Sequence, residues 1–89
     1  SRSDGAMKTQ HEIRDDILSV LTGIAPEVEP DEISDQALLR DQVDLDSMDW
    51  LNFLIGIHKR LHVEIPEADY RKLRTVDDLV QYVEANAAP

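Results

Sequence analysis

Three stretches of the chain place apolar residues at the spacing of an amphipathic helix. The first follows Thr9 and Glu12, which are spaced as a capping box, and we expect it to stop at Gly23. Its apolar positions are Ile13, Ile17, Val20, Leu21 and Ile24. The last stretch begins after Thr75, a favoured N-cap residue, and carries acids in its first turn. Its apolar positions are Val76, Leu79, Val80 and Val83.

The middle stretch, from about Ser47 to about His62, is the most apolar of the three. At about 100° per residue, its apolar side chains cover roughly 220° of the helix circumference. They are Met48, Trp50, Leu51, Phe53, Leu54, Ile55, Ile57 and Leu61. The remaining polar strip consists of Asp49, Asn52, Gly56, Lys59 and Arg60. This pattern predicts a central helix that packs between the others and shows the solvent one edge.

The segments between these helices are irregular. Residues 25–45 contain two prolines and scattered acids, which predicts a long loop with at most one short turn of helix. Residues 63–66 end in a proline and should be extended, with that proline at the first position of a short helix over about residues 67–72. Tyr70 and Leu73 would anchor this helix. The predicted fold is all-α, a small four-helix bundle of three main helices and one short helix.

The length of the chain allows one small domain with a single core. We expect residues 7–86 to form that domain. Residues 1–6 are small, polar and aperiodic, which is typical of a cloning remnant or a disordered tail, and residues 87–89 form a C-terminal tail. A domain of this size has little room for a buried site, so function is expected on its surface.

The charge balance narrows the classes of partner. The 89 residues include 19 Asp and Glu against 9 Lys and Arg, a net charge of -10. Such a chain repels phosphates and anionic lipids, which disfavours nucleic-acid and membrane binding and favours basic patches on other proteins. There is no cysteine, so any thiol chemistry needs a borrowed thiol. We expect a cytoplasmic monomer.

The candidate chemistry centres on Asp46-Ser47-Met48-Asp49, at the start of the middle helix. Free backbone N–H groups and the helix dipole at such a position favour a bound phosphate. No base is spaced near Ser47 in the sequence and no oxyanion motif is recognisable, which argues against a hydrolase. We interpret Ser47 as an attachment point. The alternative is an ordinary N-cap, whose loss would cost about 1 kcal/mol.

Two further groups of residues resemble parts of metal sites. His58 and His62 lie four residues apart on one helix, but no third ligand is evident, and favourable carbonyls at the helix end explain the pair better than a metal ion does. The acids from Asp44 onwards fail the EF-hand pattern, because Asp49 stands where glycine is needed and Ile55 where a bidentate glutamate is needed. We therefore predict no metal.

Residues 13–83 resemble the acyl carrier protein family, the small four-helix carriers of a 4'-phosphopantetheine arm. The matching features are Asp46-Ser47-Met48 in place of an Asp-Ser-Leu signature, the helix after it, Glu64-Ile65-Pro66, and Thr75-Val76 at the last helix. The resemblance implies that Ser47 receives 4'-phosphopantetheine from coenzyme A through a separate, Mg²⁺-dependent phosphopantetheinyl transferase. The chain would then be no enzyme, but a carrier of thioester-linked groups in fatty acid or secondary metabolite biosynthesis.

The resemblance also implies a set of partners, namely the transferase, a cargo-loading ligase or acyltransferase, and downstream enzymes. The expected docking residues are Asp46, Met48, Asp49, Trp50, Asn52, Lys59 and Arg60. Asp44 stands where family members usually have glycine, and the end of the middle helix is basic where theirs is commonly acidic, which implies a specialised carrier. The bulky Trp50 is expected to shape either a cargo groove or a partner contact. The cargo stays open between a fatty acyl, polyketide, aminoacyl or other carboxylic acid, and the alternative function is a carrier-fold interaction module without a prosthetic group.

Overall fold

The computed structural model describes residues 9–86, and within this range every regular element is helical. The α-helices are α1 (Gln10–Ile24), α2 (Leu39–Gln42), α3 (Ser47–Leu61) and α4 (Val76–Asn86), and the 3₁₀-helices are η1 (Pro30–Glu32) and η2 (Glu67–Lys72). The all-α prediction is confirmed. The loop over residues 25–45 holds two short helices, η1 and α2, where at most one turn was expected. The predictions for residues 1–6 and 87–89 lie outside the described residues.

The capping residue of α1 is where the sequence places it. The Thr9 hydroxyl accepts the Glu12 N–H at 3.2 Å, and the Glu12 carboxylate accepts the Thr9 N–H at 2.9 Å. The predicted stop at Gly23 is wrong, because α1 continues to Ile24 and Ala25 is its C-cap. Ile24 packs against the core and Ala25 is buried within it, so apolar contacts carry the helix past the glycine.

Helix α4 also begins as predicted. The Thr75 hydroxyl accepts the Asp78 N–H at 3.0 Å, and the Asp78 carboxylate accepts the Thr75 N–H at 3.3 Å. The apolar residues expected on this helix are all buried: Val76, Leu79, Val80 and Val83. Helix α1 packs against both α3 and α4, so the core lies among the three long helices.

Helix α3 buries only one side. Its buried residues are Phe53, Leu54, Ile57 and Leu61. Three other apolar side chains of α3 face solvent, with Met48 66% exposed, Leu51 37% exposed and Ile55 39% exposed. The prediction that α3 packs between neighbours on most sides is therefore wrong. The other two long helices of the described residues are too few to cover the whole apolar arc of α3.

The predicted solvent strip of α3 also needs correction at Gly56. This glycine is half-buried and packs against Val20 of α1. Asp49 is half-buried as well. Both residues lie on the side of α3 that turns towards α1, because positions seven apart fall on nearly the same face of a helix.

The chain leaves α3 through His62, whose backbone is left-handed with φ 55°. The His58 Nδ1–H donates to the Val63 carbonyl oxygen at 2.7 Å and covers the helix end. The sequence suggested Pro66 as the first residue of η2. In the structure, Pro66 is instead the N-cap of this helix. Leu73 is buried and Tyr70 packs against the core, so both predicted anchors are confirmed. No helix within residues 9–86 is long and apolar enough to cross a membrane.

Candidate functional site

Ser47 is the first residue of α3, and its side chain is exposed. Within residues 9–86 its hydroxyl makes no hydrogen bond. The oxygen is thus open to approach from solvent. An exposed hydroxyl without an internal partner is free to react with a group brought by another protein.

Asp46, and not Ser47, caps the helix. The Asp46 carboxylate accepts the Asp49 N–H at 2.8 Å, and the Asp46 carbonyl accepts the Trp50 N–H at 2.9 Å. The interpretation of Ser47 as an ordinary N-cap is therefore wrong. Because Asp46 performs the capping, the Ser47 oxygen has no structural task in the first turn.

The first turn of α3 keeps two amides without an acceptor in the described part of the chain, those of Ser47 and Met48. Free amides at a helix start stabilise an adjacent anion. A phosphodiester on the Ser47 oxygen would therefore be compatible with its surroundings. An accessible hydroxyl thus lies beside uncommitted N–H donors.

Ser47 has no catalytic companion in the described chain. No histidine, lysine or carboxylate of residues 9–86 is hydrogen-bonded to its oxygen. A serine nucleophile needs a base in hydrogen-bond reach and a group that orients the base. The arrangement suits an acceptor that is modified by another protein.

The residues expected to dock partners do not form a single patch. Met48, Asn52 and Lys59 share one exposed face of α3. Asp49 and Arg60 lie towards α1, where Arg60 Nε is 2.9 Å from Asp16 Oδ1. Asp46 is exposed beside Ser47, and Trp50 points away from the exposed face and packs on the core.

Leu51 and Ile55 are the residues that sequence reasoning missed at this surface. Both lie on the same exposed face as Met48, at the spacing i, i+3 and i+7. We call Met48, Leu51, Asn52, Ile55 and Lys59 the docking face. The breadth of the apolar arc was the available signal, because a helix buried on one side needs a narrower stripe.

A cleft of about 420 Å³ opens beside Trp50. The Trp50 and Phe53 ring centroids are 5.4 Å apart, with the ring planes at 52°. The Arg40 guanidinium carbon is 6.0 Å from the Trp50 ring centroid, within range of a cation–π contact. Tyr70 of η2 also lines the cleft. The structure thus places Trp50 in a groove, as the sequence allowed.

The described residues contain no cluster of three or more His, Cys, Asp or Glu side chains that could hold a metal ion. Of the two histidines at the end of α3, His58 donates its Nδ1–H to the Val63 carbonyl. His62 forms the left-handed C-cap. Helix termination accounts for both residues.

Comparison with known proteins gives a consistent result. Residues 15–83 match the family model described as "phosphopantetheine attachment site". The chain is 30% identical over 59 residues to an acyl carrier protein of Wolinella succinogenes, covering 66% of this chain and 78% of that protein. It is 32% identical over 76 residues to the meromycolate extension acyl carrier protein of Mycobacterium tuberculosis, covering 85% of this chain and 65% of that protein.

A solved structure shares the fold. The acyl carrier protein from Enterococcus faecalis superimposes with a TM-score of 0.70 at 26% sequence identity. The alignment covers 90% of this chain and 100% of that one. The similarity therefore extends over the three long helices and the segments between them.

Proposed function

This chain belongs to the acyl carrier protein family, and on that premise we propose that Ser47 is the residue that bears its arm. Family membership makes the protein a carrier of acyl groups on covalent 4'-phosphopantetheine, and not an enzyme. The observation that supports Ser47 is its exposed hydroxyl at the start of α3, with no hydrogen-bond partner in residues 9–86.

The neighbours of Ser47 prepare it for modification without activating it. Asp46 satisfies the Asp49 amide and leaves the serine oxygen uncommitted. In the transfer, the Ser47 oxygen bonds to the phosphorus next to the pantetheine of coenzyme A, and the pyrophosphate P–O bond at that phosphorus breaks. Adenosine 3',5'-bisphosphate leaves, and the serine proton passes to the transferase. When attached, the arm supplies the thiol that carries the acyl group as a thioester. The Ser47 and Met48 amides remain available to the phosphodiester.

Members of this family interact with partner enzymes, and we assign that contact to the docking face. Its apolar side chains, Met48, Leu51 and Ile55, are exposed and follow Ser47 on the same helix. Exposed apolar side chains next to a functional residue are typical of protein interfaces. The expected partners are a phosphopantetheinyl transferase, a cargo-loading ligase or acyltransferase, and downstream enzymes.

The charges around Ser47 set the polarity of this contact. Asp46 and Asp44 are exposed at the start of α3, whereas Lys59 is exposed near its end. A partner should therefore present basic residues near the arm and an acidic or neutral surface further along. This mixed pattern supports a specialised carrier with dedicated enzymes.

The decisive experiment is modification of the purified protein. We expect one added phosphopantetheine by mass spectrometry after incubation with coenzyme A, Mg²⁺ and a broad-specificity transferase. Peptide mapping should locate it on Ser47, and Ser47→Ala should stay unmodified. Ser19→Ala is the matched control, since Ser19 is also an exposed helical serine and its loss should change nothing. If the wild-type protein stays unmodified while a control carrier is fully converted, the proposal is wrong.

The interaction-module alternative makes the opposite prediction. Such a protein would keep its function in Ser47→Ala. The family model that this chain matches is defined by the attachment site, and no comparison favours a carrier fold without the arm.

A further inference from the structure

Three arginines line the cleft beside Trp50, namely Arg40, Arg71 and Arg74. Within residues 9–86, none of the three has a carboxylate partner. The other arginines in that range, Arg14 and Arg60, are each paired with a carboxylate, at 2.8 and 2.9 Å. In a chain with 19 acids against 9 basic residues, acids are plentiful. Among the described arginines, those without a carboxylate partner are the three that line this cleft.

The walls between these arginines are largely apolar. Leu38, Trp50, Tyr70 and Leu73 form them. Leu38 is 42% exposed, so this part of the wall is open to a ligand. The volume of about 420 Å³ lies in the range of small-molecule sites, which combine apolar walls with a few charged groups that orient the ligand. A matching ligand has an apolar body and an anionic end.

The cleft is close to the proposed attachment point. Trp50 follows Ser47 by three residues on α3, so the two side chains are neighbours one turn apart. A group tethered to Ser47 meets the cleft at a high effective concentration. Tethering matters because guanidinium–carboxylate pairs that water reaches are weak on their own.

We propose that this cleft, the arginine cleft, holds the far end of a carried acyl group that terminates in a carboxylate. The inference rests on the proposed function, because the acyl group reaches the cleft through the arm on Ser47. Arg71 and Arg74 supply planar N–H donors that match the two oxygens of a carboxylate. Trp50 and Leu73 contact the methylene chain. The carrier thus selects ω-carboxyacyl cargo over a plain fatty acyl chain of equal length.

The single tryptophan makes the test direct, since Trp50 is the one tryptophan in the sequence and all tryptophan fluorescence reports on this cleft. The apo protein is loaded by the transferase from octanoyl-coenzyme A, or from the coenzyme A thioester of suberic acid. The two acyl chains have equal length and differ in the terminal carboxylate. Mass spectrometry confirms loading on Ser47, and acrylamide quenching then measures the protection of Trp50.

We expect the carboxylate-terminated form to protect Trp50 more than the octanoyl form. In Arg71→Gln/Arg74→Gln, the fraction of carboxylate-terminated acyl chains that lie in the arginine cleft should fall roughly fivefold. An effect of this size is expected for charge pairs that water reaches. The control Lys72→Gln removes a positive charge from an exposed side chain of η2 that lies outside both the cleft and the docking face, and it should keep the difference. Equal quenching of the two loaded forms, or equal loss in both variants, would overturn the inference. Failure to load Ser47 would instead overturn the proposed function, so the two failures are distinct.

Discussion

Gly56 of α3 faces Val20 of α1 so closely that a Cβ added to the glycine would lie 2.6 Å from Val20 Cγ1. A real Cβ does not approach another carbon to this distance. The missing side chain therefore lets the two helices come together at this point. Since α3 begins at Ser47, this contact helps set how the candidate attachment residue is presented.

Replacing Gly56 by alanine should destabilise the fold. The added methyl forces Val20 or the helix backbone to move, at a cost of about 1–3 kcal/mol, against a gain in helix propensity of about 1 kcal/mol. We expect a net loss of stability in urea unfolding monitored by circular dichroism.

Gly23→Ala provides the matched control. Gly23 lies inside α1, and a Cβ there would meet no atom within 4 Å. This variant should gain about 0.5–1 kcal/mol from helix propensity alone. A Gly56→Ala protein as stable as Gly23→Ala would contradict the close approach of α1 and α3.

Tyr82 ties α4 to η2 through a contact that depends on pH. Its hydroxyl donates to Asp69 Oδ2 at 2.7 Å. Burial, the hydrogen bond to Asp69 and the Asp69 charge together raise the pKa of Tyr82 from 10.0 to about 12. Because the folded pKa is above the unfolded value, this stability is complete below pH 10 and is lost as pH rises towards 12.

The measurement is the free energy of unfolding at alkaline pH in wild-type protein and Tyr82→Phe. The wild-type protein should lose stability between pH 10 and 12, and the variant should lose less over that interval. Tyr70→Phe keeps the Tyr82–Asp69 bond and should follow the wild-type curve. Identical curves for wild type and Tyr82→Phe would show that this hydrogen bond has no part in the alkaline transition.

The docking face can be tested on the transferase itself. Leu51→Gln and Ile55→Gln change exposed side chains, so stability should stay within about 0.5 kcal/mol of wild type. If these residues contact the partner, KM of the transferase for the carrier should rise roughly tenfold, as for truncation of an interface anchor. Leu38→Gln is the control, since Leu38 is an exposed leucine outside the docking face. An unchanged KM in both docking-face variants would remove the face from the transferase contact.

The helix starts, including the one that presents Ser47, could be predicted from the sequence. The Thr9–Glu12 box, the Thr75 cap and the first turn after Asp46 each depend on groups within three residues of one another. Such interactions form in any fold that keeps the helix, so the local pattern contains them. The stop at Gly23 failed because a distant contact, the burial of Ala25, outweighed the local signal.

The tertiary structure decided which part of the apolar arc of α3 is covered. Phe53 and Met48 look alike in a hydrophobic pattern, yet one is buried and the other faces solvent, because α1 covers only one side of the helix. It also brought Arg40 to Arg71 and Arg74 across about thirty residues of chain. Spacing within one helix determines which residues share a face, whereas the partners of that face depend on how the whole chain closes.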